Sequence, residues 1–316
     1  MHWKIKATLQ KILSFSNLGD VLNHIPSTLN SNYHKNVFKY QFFECVRKFD
    51  QISLNLKAKP RTALEIGTGY SIIAPIILFL LGFDKILTID ITNDISFRTF
   101  KKQFKEITTN EYISFLEVNS IHDQKTLNEK INFVLASHTL KDVLDYCKIE
   151  YKPNYLIEDI AKKHSSFDYI YSQVVFEHIP PNKLKLIFTK MKEWLTDDGY
   201  AVHTINFIDH FANPGVFQDK NISEFNFLRF NNKKWNFWSG NNIAYTNRLS
   251  YLYYLELCEE NNLKVVDFTG ENYRKHSPLD LSLIHEEILL EYKKRPKKED
   301  LQKFQRGTIL LKKNLS

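Results

Sequence analysis

The chain of 316 residues predicts an α/β fold, a mostly parallel sheet with helices on both faces. Three observations predict it. Short apolar runs recur at Arg61 to Ile66, Lys85 to Ile89, Phe167 to Ser172 and Tyr200 to Ile205, with helical periodicity between them. The first run ends in a glycine turn, Gly67-Thr68-Gly69, that opens onto an apolar helix from Ile72 to Leu81. The second run ends on an acid, Asp90.

The elements follow in order. Residues 1 to 60 form an N-terminal helical extension, in which Trp3, Ile5, Leu9, Ile12 and Leu13 roughly share one face and Lys4, Lys6 and Lys11 lie elsewhere. Such a helix either packs on its own domain or makes peripheral contact with a membrane surface. Lys57 to Arg61 is a short basic, proline-bearing lead into the first strand, and residues 61 to 316 form the main domain. Phe97 to Ile107 predicts a helix. The stretch 91 to 155 is long for one crossover and holds an insertion, with helices at Gln124 to Asn132 and Thr139 to Lys148 and a strand at Ile113 to Val118. Tyr155 to Ile157 predicts a short strand ending at Glu158-Asp159. Asn182 to Leu195 predicts a helix with Ile187, Met191 and Trp194 inward, and Asp197-Asp198-Gly199 a turn. Residues 206 to 247 break the rhythm; their Phe and Trp content argues against disorder and predicts a lid over a pocket. Arg248 to Asn262 is helical, and Leu263 to Phe268 with Thr308 to Lys312 form a closing antiparallel pair.

Composition narrows the function classes. No apolar run reaches the roughly 18 residues of a membrane-spanning helix. The N-terminus lacks an apolar secretory core, and Cys45, Cys147 and Cys258 are too scattered for a disulfide framework or a zinc site, so a cytoplasmic location is expected. The net charge of +7 is dispersed apart from Lys293 to Lys298, a run of the kind found in solvated loops. Nucleic acid is therefore not the expected partner.

The glycine turn carries the most chemistry. Gly67 and Gly69 let the backbone approach a ligand closely. Asp90 follows at the spacing, about 20 residues, at which an acid reaches ribose hydroxyls. Two ligands fit such a turn. A dinucleotide site expects a third glycine where Ile72 stands, and Glu65 before the turn would repel a pyrophosphate. An acid there suits a cofactor with a positive charge, which favours S-adenosyl-L-methionine over NAD.

Together, Glu65-Ile66-Gly67-Thr68-Gly69, Asp90, the segment Phe167 to Ile179 and Thr196 to Tyr200 resemble class I S-adenosylmethionine-dependent methyltransferases. The resemblance covers about residues 60 to 270 and implies a Rossmann-like seven-stranded sheet, mostly parallel with an antiparallel last strand. The segment from Asp209 to Leu249 is similar to that of bacterial members encoded among polysaccharide or secondary-metabolite functions. For the matched positions it implies that Glu65, Gly67, Thr68 and Gly69 line the methionine and ribose end. Asp90 and its neighbour Ile91 would bind the ribose side, Asp159 and Ile160 the adenine, and Ser172 and Gln173 the methyl-donor end. Family members often carry Gly where Tyr70 or Ser71 stands here, which puts the fit around the cofactor's carboxylate in question.

Methyl transfer from a sulfonium mainly needs alignment, and sometimes a base for the acceptor. His210 is the first candidate for that base, beside Asp209. His178 is a second, or else a helix-start histidine bonded to backbone. Glu177, Asp209 and His210 show no ligand spacing, so no metal is expected. Arg229 and Arg248 are candidates for binding an acidic acceptor, and Trp235 and Tyr245 for stacking on a sugar; equally, these aromatics could form a small core beneath the lid. The expected activity is methylation of a hydroxyl, less readily an amine, of a small-molecule or saccharide acceptor. The alternatives are a non-catalytic binding module of the same fold, a nucleic-acid methyltransferase, and an NAD oxidoreductase.

Overall fold

The computed structural model describes residues 1–14, 32–53, 61–160, 166–212, 218–241 and 245–315. Seven strands form one sheet: β1 (Thr62–Ile66), β2 (Lys85–Ile89), β3 (Ile149–Lys152), β4 (Phe167–Gln173), β5 (Leu195–Asn206), β6 (Leu263–Glu271) and β7 (Arg306–Lys313). Their order is β3-β2-β1-β4-β5-β7-β6. β1 runs parallel to β2 and β4, and β2 to β3, whereas β6 and β7 are antiparallel. Placing β7 between β5 and β6 separates this sheet from the six-stranded dinucleotide order, 3-2-1-4-5-6.

By compactness the chain divides into two units. One comprises Ser27–Gln173, Glu193–Val202 and Leu315–Ser316; the other comprises Met1–Pro26, Val174–Lys192 and His203–Asn314.

In the first unit, the helix Ile73–Leu81 is apolar all round and buried at every position, as its sequence requires. Asp168 fixes the start of β1, its carboxylate accepting from the backbone N–H groups of Arg61 (2.8 Å) and Thr62 (2.9 Å). The helix Tyr33–Ser53 buries Phe38, Phe42, Cys45, Val46 and Ile52. Cys45, Cys147 and, in the second unit, Cys258 are free and buried, and burial raises all three thiols. The lead from Lys57 to Pro60 lies outside the described residues.

Three expected elements differ. Ile113 to Val118 is not a strand but part of the helix Asn110–Asn119, which buries Tyr112 and Leu116, one helical turn apart. The third strand is Ile149–Lys152 rather than Tyr155 to Ile157, and Ile157–Ile160 is a single helical turn. As an edge strand, β3 is short and carries Glu150 and Lys152, so it lacks the apolar signature of a buried strand. Asp197-Asp198-Gly199 belongs to β5 instead of forming a turn. Both acids point to solvent there, and a Cβ on Gly199 would lie 2.9 Å from the Phe167 carbonyl oxygen.

In the second unit, the helix Trp3–Leu13 buries Trp3 and Ala7 and leaves Ile5, Leu9 and Ile12 exposed. Trp3 packs against Phe211, Phe230 and Trp238, with ring centroids 5.8, 5.5 and 5.4 Å away, and its backbone N–H donates to Asp219 at 3.0 Å. No helix among the described residues is long and apolar enough to cross a membrane.

Candidate functional site

In the first unit the chain leaves β1 through Gly67 (φ 87°) and Gly69 (φ 60°), a conformation that non-glycine residues adopt rarely. The N–H groups of Gly67 and Thr68 donate to the Ile89 carbonyl at 2.9 and 3.2 Å, which ties the turn to the end of β2. Asp90 closes it. Its Oδ2 accepts from the Gly69 N–H at 2.7 Å, while Oδ1 accepts from the Thr92 N–H and hydroxyl, both at 2.9 Å. An ionised carboxylate offers about four lone-pair sites, so Oδ2 retains capacity for a ligand hydroxyl. A Cβ built on Gly69 would point into open space. The turn therefore presents bare backbone beside a half-buried carboxylate, a surface that fits a ribose.

Glu65 is buried, and its carboxylate accepts from the Thr88 hydroxyl, which also bonds the Thr68 hydroxyl at 2.6 Å. Burial pushes the Glu65 carboxyl up to about 7. It is thus only partly charged at neutrality, which weakens the charge argument drawn from its position. Ser71 donates to Gln103 at 2.9 Å, and both are buried. Ser172 is fully buried and Gln173 half-buried, at the end of β4. Ile91 is exposed; Asp159 is half-buried and Ile160 buried, both beyond the end of β3 rather than at it. The Tyr155 N–H donates to the Asp90 carbonyl at 2.8 Å, so the chain after β3 runs beside Asp90.

Two residues of the helix Tyr33–Ser53 join this site without having been singled out from the sequence. The Lys48 ammonium donates to Gln173 Oε1, and Gln173 Nε2 donates to the Tyr40 hydroxyl. Lys48 is 1 % exposed, and burial lowers its pKa to about 8. Beside Arg47, and in a helix that also carries Lys35 and Lys39, Lys48 looks in the sequence like one more solvated charge. Only the pairing of Lys48 with a β4 residue reveals it.

In the second unit, Val174 begins the segment after β4 with φ 50°, an outlier for a β-branched residue. Its N–H donates to the Thr204 carbonyl at 2.8 Å. Left-handed backbone costs a non-glycine residue roughly 1–2 kcal/mol. Val174→Gly is therefore expected to keep stability or raise it by about 1 kcal/mol in urea unfolding, since flexibility of the unfolded glycine offsets part of the relief. A clear loss would mean that Val174 packing outweighs the strain.

The strained step leads into a 3₁₀ turn, Phe176–His178, which turns Glu177 inward and His178 outward. Asn247 clamps the turn: its N–H donates to the Glu177 carbonyl at 2.7 Å and its amide to those of Phe176 (2.7 Å) and Ile179 (3.0 Å). Glu177 is 2 % exposed, and Oε1 accepts a long bond, 3.4 Å, from the Asn206 N–H. Oε2 is buried with no partner, and burial raises the carboxyl to about 8. His178 Nδ1 lies 3.0 Å from the Tyr245 carbonyl oxygen. A carbonyl only accepts, so Nδ1 carries the proton and Nε2 presents its lone pair.

His210 follows β5, with its ring centroid 4.9 Å from that of His178. Its Nε2 is buried without a partner, and burial, then His178, Lys6 and Arg274, lower its pKa to about 3. Asp209 does not pair with it. The Asp209 carboxylate accepts from the Phe211 N–H at 2.8 Å and from Asn226 at 3.4 Å, and burial raises it to about 7. Neighbours in sequence here point apart, and the structure instead brings His210 to Glu177 and His178.

The remaining candidates separate. Trp235 is 3 % exposed, packs on Phe211, Phe227 and Phe230, and donates its indole N–H to the Thr246 carbonyl at 3.3 Å. The Arg248 guanidinium is spent on backbone: it donates to the carbonyls of Phe227 (3.2 Å) and Phe230 and to Asn232 Oδ1. Arg229 is exposed and Tyr245 half-buried, with the Tyr245 backbone engaged by His178.

No protein-family model matches this chain, and no curated protein matches it. Among solved structures, the chain is similar to an S-adenosylmethionine-dependent methyltransferase from Methanosarcina mazei at 12% identity and TM-score 0.44, over 84% of this chain and 98% of that one. It is also similar to PKMT2 from Rickettsia typhi, solved with S-adenosylhomocysteine, at 13% identity and TM-score 0.42, over 84% and 52%. The methyltransferase domain of a bacterial protein, CtHen1-C, gives 10% identity and TM-score 0.41 over 87% and 98%. These likenesses are distant, and the function proposed below rests on this chain's own residues.

Proposed function

We propose that this protein binds S-adenosyl-L-methionine and transfers its methyl group to a hydroxyl, less readily an amine, of a small-molecule or saccharide acceptor. One observation carries the reading: Asp90 holds the Gly69 N–H at 2.7 Å, in a sheet whose antiparallel β7 departs from the dinucleotide order. Asp90 Oδ2 would accept from the ribose hydroxyls, and Gly67 to Gly69 would pass beneath the ribose and methionine. Lys48, linked to Gln173, would face the cofactor's carboxylate. Asp159 and Ile160 would serve the adenine, and Ser172 the methyl-donor end.

The cofactor supplies an electrophilic methyl group. With the cofactor bound, transfer of that methyl to the acceptor oxygen would leave S-adenosylhomocysteine and one proton to be removed. The acceptor's proton must leave. His178 Nε2 presents a lone pair, and burial lowers the His210 pKa to about 3, so each would offer a nitrogen lone pair for it. Arg229 and Tyr245 are the residues proposed to meet the acceptor, while Trp235 and Arg248 would hold the lid's own core. A cytoplasmic site of action suits the three reduced, buried cysteines.

Calorimetric titration with S-adenosylhomocysteine, beside NADH, tests the reading. Micromolar binding of the first ligand alone is expected. Silence toward S-adenosylhomocysteine, or tight binding of NADH, would overturn it.

A further inference from the structure

Glu177, His178 and His210 offer one ligand atom each, all lying within 4.8 Å of one another. Two of these groups are buried and unsatisfied, at Glu177 Oε2 and His210 Nε2. Buried polar atoms without partners are rare, because each forfeits its hydration. Here they converge. The third group is oriented as a metal-binding histidine requires, with Nδ1–H donating to a backbone carbonyl and Nε2 left to coordinate.

We propose that Glu177, His178 and His210 bind one divalent transition-metal ion of borderline softness, such as zinc or cobalt, through a carboxylate oxygen and two imidazole nitrogens. Magnesium and calcium prefer all-oxygen shells and fit this donor set poorly. Ligand atoms bonded to one such ion lie about 3.0–3.4 Å apart, so the three must close by about 1.8 Å at most. His178, the exposed ligand of the three, has room for part of that movement. Two cations stand nearby, each donating to a backbone carbonyl. Lys6 donates to the His210 carbonyl at 3.3 Å and Arg274 to that of Ala212 at 3.2 Å. Three protein ligands leave positions open for water or an acceptor oxygen. A hydroxyl coordinated there releases its proton more readily, replacing direct removal by His210.

The site stands independently of cofactor binding and is tested without it. The full chain is stripped with a chelator, dialysed, and titrated with cobalt(II), followed by visible absorption and calorimetry. One equivalent is expected to saturate, giving the d–d bands of a nitrogen-ligated ion that zinc then displaces. His210→Ala and the near-isosteric Glu177→Gln are each expected to weaken cobalt binding at least about 100-fold, while keeping the native circular dichroism spectrum. His138→Ala, on the exposed surface of the other unit, controls for stray imidazole binding. No saturable uptake, or equal affinity in wild type and both site variants, would overturn the proposal whatever S-adenosylhomocysteine does.

Discussion

Asp90→Ala is expected to weaken S-adenosylhomocysteine binding by at least about 100-fold. Two ribose hydroxyls donating to an ionised carboxylate contribute about 1.5–3 kcal/mol each, and each 1.4 kcal/mol is a factor of ten. The substitution also strips the Gly69 N–H of its acceptor at 2.7 Å, loosening the turn that the ligand must lie on. Asp90→Asn separates the two effects. Its amide oxygen can still take the Gly69 N–H, but the charge is gone, so an intermediate loss is expected. Calorimetry on the three proteins decides it; an Asp90→Ala affinity close to wild type would remove Asp90 from the site.

Glu65→Gln is expected to remove one share of the fall in stability between about pH 5 and pH 7, a fall to which the raised carboxyls of Glu177 and Asp209 also contribute. The wild-type carboxyl titrates at about 7 in the folded protein against an ordinary 4.5. Across that window the native state holds a proton that the unfolded chain has lost, so stability decreases as pH rises. The full effect is about 3 kcal/mol, reached above the folded pKa. Glutamine keeps an oxygen to accept from Thr88 and cannot ionise. Urea unfolding at about pH 5 and about pH 7.5 should show the variant gaining on wild type by about 2 kcal/mol at the higher pH, because part of the effect is already present at about pH 5. The comparison stops short of alkaline pH because Lys48, lowered to about 8, makes stability rise with pH above that value. Identical pH profiles for the two proteins would show that Glu65 ionises without cost.

What the sequence made legible was local. Gly67, Gly69 and Asp90 announce themselves because a turn and a strand end are short-range features, and strands β1, β2 and β4 because they are buried on both faces. β3 escaped because an edge strand carries charge and has no apolar run. Ile113 to Val118 misled because alternating apolar residues in a short stretch fit either period; burial of Tyr112 and Leu116 chose the helix. The histidines are each legible singly, but their meeting is not, since 32 residues separate His178 from His210 and adjacency to Asp209 leaves the side-chain directions open. That choice is made by tertiary packing: Phe211 and Asn226 take the Asp209 carboxylate away. Lys48 and Tyr40 were invisible for the same reason, reaching Gln173 only once the helix and β4 are in place.

The three cysteines give the molecule a built-in reporter. Each thiol is enclosed and held in its unreactive protonated form, so an alkylating reagent meets almost no nucleophile on the folded chain. Unfolding releases all three. Cys45 and Cys147 belong to one unit and Cys258 to the other. The order in which they become labelled would therefore time the opening of each unit separately, with no engineered probe.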